Sequence, residues 1–227
     1  MITKDSNRDI HHHPGLRERK AAQTKVALMN AFLEQLETKK LDEIAVKTVC
    51  ERIPVSEVTF YNYFPRKTDL LSFHLRLWSV QAQWGCARAR LEGLEAVRYL
   101  YRTMAEGIDR RPHLLNEAVT FFSWNGEATL QPLTVAEAMA AFPTLEGIGE
   151  FRSVPIPALL RERFEEAREL GEVPSSLDVD RWLPAALTIF FGAPLAMGWT
   201  GGTSLATEYS RQLDVLLESM SRDEHRR

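Results

Sequence analysis

Apolar residues recur along this chain at intervals of three and four, and runs alternating every second residue are absent. That period belongs to helices with one buried stripe rather than to strands, so the expected fold is all-α. The first such segment starts at Leu16 and carries Ala22, Val26, Met29, Ala31, Phe32, Leu33 and Leu36 on its apolar side. Lys39 and Lys40 follow it, where cations suit the C-terminal end of the helix dipole. A shorter helix is expected over residues 46–53, with Val49, Cys50 and Ile53 as its stripe and Pro54 as its stop. Ser56 stands in N-cap position for a third helix reaching Tyr63, in which Phe60 and Phe64 share the inner face. Pro65 ends it. Residues 67–88 predict a longer fourth helix with Leu70, Leu71, Leu75, Trp78 and Ala82 inward. Further helices are expected over 94–109, 112–124, 135–142 and 157–170, the last closed by Gly171. A final pair, 177–199 and 205–220, is separated by Gly201 and Gly202.

Charge changes the picture more than composition does. The net charge is only −3, yet residues 1–72 hold 12 Lys and Arg against 10 Asp and Glu, while residues 73–227 hold 16 against 21. All seven lysines lie at or before Lys67. The chain therefore has a mildly basic head and an acidic body. Cys50 and Cys86 lack metal-ligand spacing and read as buried free thiols of a reducing compartment. His11, His12 and His13 read as part of a solvated arm over residues 1–15 rather than a metal site. No signal peptide opens the chain, and the most apolar stretch, 182–199, is broken by Pro184, Pro194 and two glycines. A cytoplasmic protein without membrane association or cofactor is expected. No Gly-rich phosphate loop, HExxH, GxSxG or convincing carboxylate pair suggests an enzyme.

Two short helices joined by a tight turn, the second rich in polar and aromatic groups, make a helix-turn-helix. Such a helix fits the major groove of double-stranded DNA and reaches base edges from its N-terminal residues. The expected contact set is Ser56, Glu57, Val58, Thr59, Tyr61, Asn62, Tyr63 and Lys67. Tyr61, Tyr63 and Lys67 suit phosphates, and Thr59 and Asn62 suit bases. Glu57 repels phosphate but can accept a hydrogen bond from cytosine N4. Phe60 and Phe64 are core.

Residues 46–71, VKTVCERIPVSEVTFYNYFPRKTDLL, resemble the DNA-binding signature of TetR-type transcriptional regulators. The spacing of Tyr61, Phe64, Lys67, Leu70 and Leu71 is the specific part, with Ser56 and Thr59 also matching. The family commonly has Gly in the turn and Thr opening the second helix; here Pro54 and Ala45 stand there. With Pro54 the turn is built differently, or the second helix ends a residue early. The resemblance implies a DNA-binding domain over 16–66 and a ligand-binding and dimerisation domain over 67–227. It also implies a homodimer on a palindromic operator and a repressor released by a small-molecule effector.

The body offers candidates for both remaining roles. Residues 184–197 are apolar around most of the helix circumference, more than one core face requires. With the stripe on the last helix they form a candidate dimer interface: Leu187, Phe190, Phe191, Leu195, Tyr209, Leu213, Leu216 and Leu217. The alternative is a helix buried centrally within one chain. Trp84, Tyr101, Met104, Phe121, Phe122, Trp124, Met139 and Trp199 are candidate walls of a pocket for an apolar or aromatic effector, or ordinary core. The competing function is a helical small-molecule- or partner-binding protein whose helix-turn-helix no longer binds DNA.

Overall fold

The computed structural model describes residues 14–110, 133–200 and 204–224. Among them every regular element is helical: α1 (Leu16–Leu36), α2 (Val46–Arg52), α3 (Glu57–Tyr63), α4 (Asp69–Ala89), α5 (Gly93–Arg110), α6 (Val135–Ala141), α7 (Ile156–Glu169), α8 (Val179–Thr200) and α9 (Leu205–Glu224). Single 3₁₀ turns at Leu41–Glu43 and Ile148–Glu150 complete the set. The expected helix over 112–124 lies outside the described residues.

Helices α1 to α3 and the first half of α4 close around one apolar cluster that includes Phe32, Leu36, Ile44, Val49, Phe60, Leu70 and Phe73. Helix α2 ends at Arg52, one residue earlier than its stripe suggests. The ring of Pro54 disfavours helical backbone at the residue before it, and Ile53 is extended at φ −115°, ψ 114°. No left-handed residue is used between α2 and α3; the positive φ values among the described residues belong to Arg90, Gly93, Gly147 and Gly171. Proline thus replaces the glycine-type turn with an extended one.

Helix α1 is buried on two sides. One side faces α2 and α4, and the other carries Ala22, Val26, Met29 and Leu33 against α6. Lys25 crosses this second seam and meets Glu137 at 2.5 Å. Glu137 also closes the capping box of α6: it accepts from Thr134 N at 2.9 Å, and Thr134 Oγ1 accepts from Glu137 N at 3.2 Å.

The second half of α4 leaves the head cluster and enters a larger one built with α5, α7, α8 and α9. Gly85 marks a close approach there, since a Cβ on it would clash with the Tyr99 hydroxyl. Helix α8 holds Pro184 and Pro194 in its interior. Pro194 has no N–H for the carbonyl four residues back, Phe190 O. Tyr209 supplies the missing donor, its hydroxyl lying 2.5 Å from that oxygen. The Tyr101 hydroxyl donates to Ala186 O at 2.7 Å, and the rings of Tyr101, Phe190 and Tyr209 pack mutually at 5.0–6.2 Å.

This corrects the sequence reading of the last helix pair. Phe190, Tyr209, Leu213 and Leu216 are buried within their own chain. Leu187, Phe191, Leu195 and Leu217 are only half-buried. Much of the apolar excess on α8 serves the intrachain core, because α5 and α9 both pack on the buried α8 rings. The outer row of α8 runs Pro184, Thr188, Phe191 and Leu195, with Val215 exposed on α9.

Candidate nucleic-acid interface

Helix α3 is a seven-residue rod held from behind. Phe60 and Phe64 are buried, 5.9 Å apart by ring centroid, and Phe64 meets Phe73 of α4 at 5.5 Å. Truncating a buried phenylalanine of this kind costs about 3–5 kcal/mol. The helix starts on Ser56, whose Oγ accepts from Thr59 N at 3.1 Å. The two hydroxyls, of Ser56 and Thr59, lie 2.9 Å apart. Both are therefore engaged in the cap, and Thr59 is half-buried.

Four side chains share the solvent face: Glu57, Val58, Tyr61 and Asn62. They fall at i, i+1, i+4 and i+5, the spacing of a single helix face. Val58 is 71% exposed and Tyr61 48%. Tyr61 is steadied by an edge contact with Phe60 at 5.3 Å. Tyr63 turns away from this face; its ring is half-buried, with Lys25 Nζ 5.9 Å from the centroid. The face thus combines an acid, an aliphatic group, a phenol and an amide on a rod narrow enough for a major groove.

Lys67 is placed differently from the sequence expectation of a phosphate ligand. Its half-buried ammonium donates to Leu41 O at 2.5 Å and Ile44 O at 2.9 Å. Those carbonyls belong to the 3₁₀ turn and the residue after it, so Lys67 ties the α1–α2 link to the start of α4. Arg66 pairs with Asp69, whose carboxylate also accepts from Arg66 N at 2.8 Å. Exposed cations of the head are found instead at Lys39, Lys40 and Lys47. Lys47, in the first turn of α2, is 72% exposed and only loosely paired, 4.0 Å from Glu51. A lone lysine on a helix surface carries no spacing signal in the sequence.

The expected pocket walls are not brought together among the described residues. Tyr101 and Met104 belong to the core of the body. Trp84 lies elsewhere, packed with Val80, Ala138 and Ile148, and its indole donates to Glu146 O at 2.8 Å. Met139 is 43% exposed on α6. Phe121, Phe122 and Trp124, and the Trp199 side chain, lie outside the described residues. Two clefts are found on the α1 seam. One, of 260 Å³, lies between Pro14 to Lys25 and Thr134 to Glu137. The other, of 160 Å³, lies between α1, α4 and the end of α6. Among the described residues no group of His, Cys, Asp or Glu is arranged to hold a metal ion, and no helix is long and apolar enough to cross a membrane.

Burial pushes the Cys86 thiol up to about 11 and raises the Tyr101 and Tyr209 phenols strongly. Arginine 76, half-buried on α4, is lowered by desolvation against the opposing charges of Glu137 and Asp69. None of these groups lies on the solvent face of α3.

No family model matches the chain, and no curated protein sequence does. Solved structures do resemble it. The crystal structure of Thermus thermophilus FadR, a TetR family transcriptional repressor in complex with lauroyl-CoA, superposes with a TM-score of 0.59 at 24% identity. The match covers 86% of this chain and 94% of that one. Salmonella enterica GusR superposes with a TM-score of 0.50 at 18% identity, over 86% and 95% of the two chains. These likenesses establish the fold: the chain has the helical architecture of a TetR-type regulator over most of its length.

Proposed function

We propose that a chain with this fold acts as a DNA-binding transcriptional regulator, a repressor that reads a palindromic operator as a homodimer and is released by a small-molecule effector carrying an apolar or aromatic group. The observation that carries this reading is the solvent face of α3. Glu57, Val58, Tyr61 and Asn62 project from a rod whose other face is anchored by Phe60 and Phe64. A single rod reads few base pairs, and a two-fold pair reads two half-sites in register. The outer row of α8, exposed at Pro184 and Thr188 and half-buried at Phe191 and Leu195, with Val215 on α9, is the surface offered to the second copy.

An effector acts only if it binds the DNA-incompetent arrangement more tightly than the competent one. Helix α4 is the natural lever, because its two halves are buried in the head and body clusters. Acyl-CoA thioesters are the first class to test, since the FadR structure contains lauroyl-CoA.

Two observations favour the competing reading, a helical binding protein that no longer reads DNA. Lys67 is engaged with carbonyls, and Glu57 puts an acid on the reading face. A gel-shift of the full chain on the DNA upstream of its own gene separates the two. A discrete, competitor-resistant shift that weakens with effector supports the regulator. Binding of effector with no sequence-dependent shift supports the alternative.

A further inference from the structure

The reading face of α3 has an unusual composition for a surface meeting a polyanion. Ser and Thr hydroxyls, the common adaptable partners of phosphates and bases, are engaged with each other in the cap. The first turn therefore presents Glu57 and Val58, the second Tyr61 and Asn62. Neither first-turn residue can donate a hydrogen bond. Each has a narrow set of partners in a major groove. An aliphatic group finds apolar surface there in the thymine C5 methyl, and a carboxylate finds a donor in cytosine N4 or adenine N6. Adenine N6 is flanked by the N7 acceptor, which repels a carboxylate, so cytosine is the better match. Val58 is 71% exposed, so its own chain leaves most of it to be covered by a partner.

We propose that each operator half-site contains a thymine whose C5 methyl packs on Val58, beside a cytosine whose N4 amine donates to Glu57. This rests on the DNA-reading function proposed above and names the chemistry that gives it specificity. A thymine set against Val58 loses only a methyl when replaced by deoxyuridine, with Watson–Crick pairing unchanged. Burying one such group is worth about 0.8 kcal/mol, close to a fourfold change in affinity.

The test starts with full-length protein selecting from duplexes that carry randomised half-sites in inverted repeat. Enriched half-sites are expected to hold one invariant thymine next to a cytosine. Deoxyuridine at that thymine should weaken binding about fourfold for the wild type. Val58→Ala should bind the thymine and deoxyuridine duplexes nearly alike, and Glu57→Gln should relax the cytosine position alone. Both side chains are exposed, so both variants should fold. Equal wild-type affinity for thymine and deoxyuridine, or enriched sites without the thymine–cytosine step, overturns the inference and leaves DNA reading standing. A library from which nothing is enriched overturns both.

Discussion

Lys67 illustrates how a side chain of the expected type can occupy an unexpected role. Its ammonium is half-buried and donates to two carbonyls, one in the 3₁₀ turn and one just after it. Hydrogen bonds from a charged donor contribute about 1.5–3 kcal/mol, more than an exposed cation does. Lys67→Ala should therefore lower the urea midpoint of unfolding, with the loss in DNA affinity following from a displaced α1–α2 link. Lys47 is the contrasting case, exposed and loosely paired. Lys47→Ala should leave the midpoint unchanged and reduce the slope of log affinity against log salt by about 0.9, one phosphate contact. Reversed outcomes for the two lysines would return Lys67 to the phosphate.

At the scale of elements, an ion pair joins head and body across the seam between α1 and α6. Glu137 is 5% exposed and serves two masters, Lys25 and the N-terminus of its own helix. Glu137→Gln keeps a cap acceptor but removes the ion pair and leaves the Lys25 ammonium partly desolvated. It should destabilise by about 1–3 kcal/mol, and Lys25→Met added to it should restore part of that loss. Denaturant curves of the two single variants and the double variant check this; strict additivity would show that the pair is uncoupled. Lys25 also lies over the Tyr63 ring of α3, so the same cycle measured on operator affinity reports whether the seam influences the reading helix.

For the whole molecule, oligomeric state and alkaline stability follow from how the body packs. Phe191 and Leu195 are half-buried on the outer row of α8, whereas Phe190 and Leu213 are interior. Phe191→Glu should give a folded monomer by light scattering and lose cooperative operator binding. A folded dimer with unchanged mass would place the interface elsewhere. Cys86 is held protonated in the folded chain, its pKa raised from 9.0 to about 11 by burial. The unfolded chain releases that proton first, so the stability present at neutral pH falls as pH rises from about 9 to 11. Tyr101 and Tyr209 act in the same direction at higher pH. Cys86→Ala should flatten the first part of this loss in urea titrations at fixed pH.

The head was legible because its signals are local. Ser56 as cap, Pro54 as stop and the four-residue spacing of Phe60 and Phe64 all act within one helix turn of themselves. Even the early end of α2 follows from a proline two residues on. The all-helical class was legible for the same reason, since periodicity is a property of neighbouring residues. Periodicity says that a face is covered and not what covers it. The apolar pattern therefore suits Phe190 and Tyr209 to an interface as well as to a core, and an intrachain hydrogen bond across 19 residues joins them. Lys67 depends on carbonyls 23 and 26 residues away, and Trp84 on one 62 away. Local chemistry along the chain determined which segments are helical and which side of each is apolar. Only the tertiary structure decided the partner of each side chain, because that choice is made between residues distant in sequence that packing alone brings together.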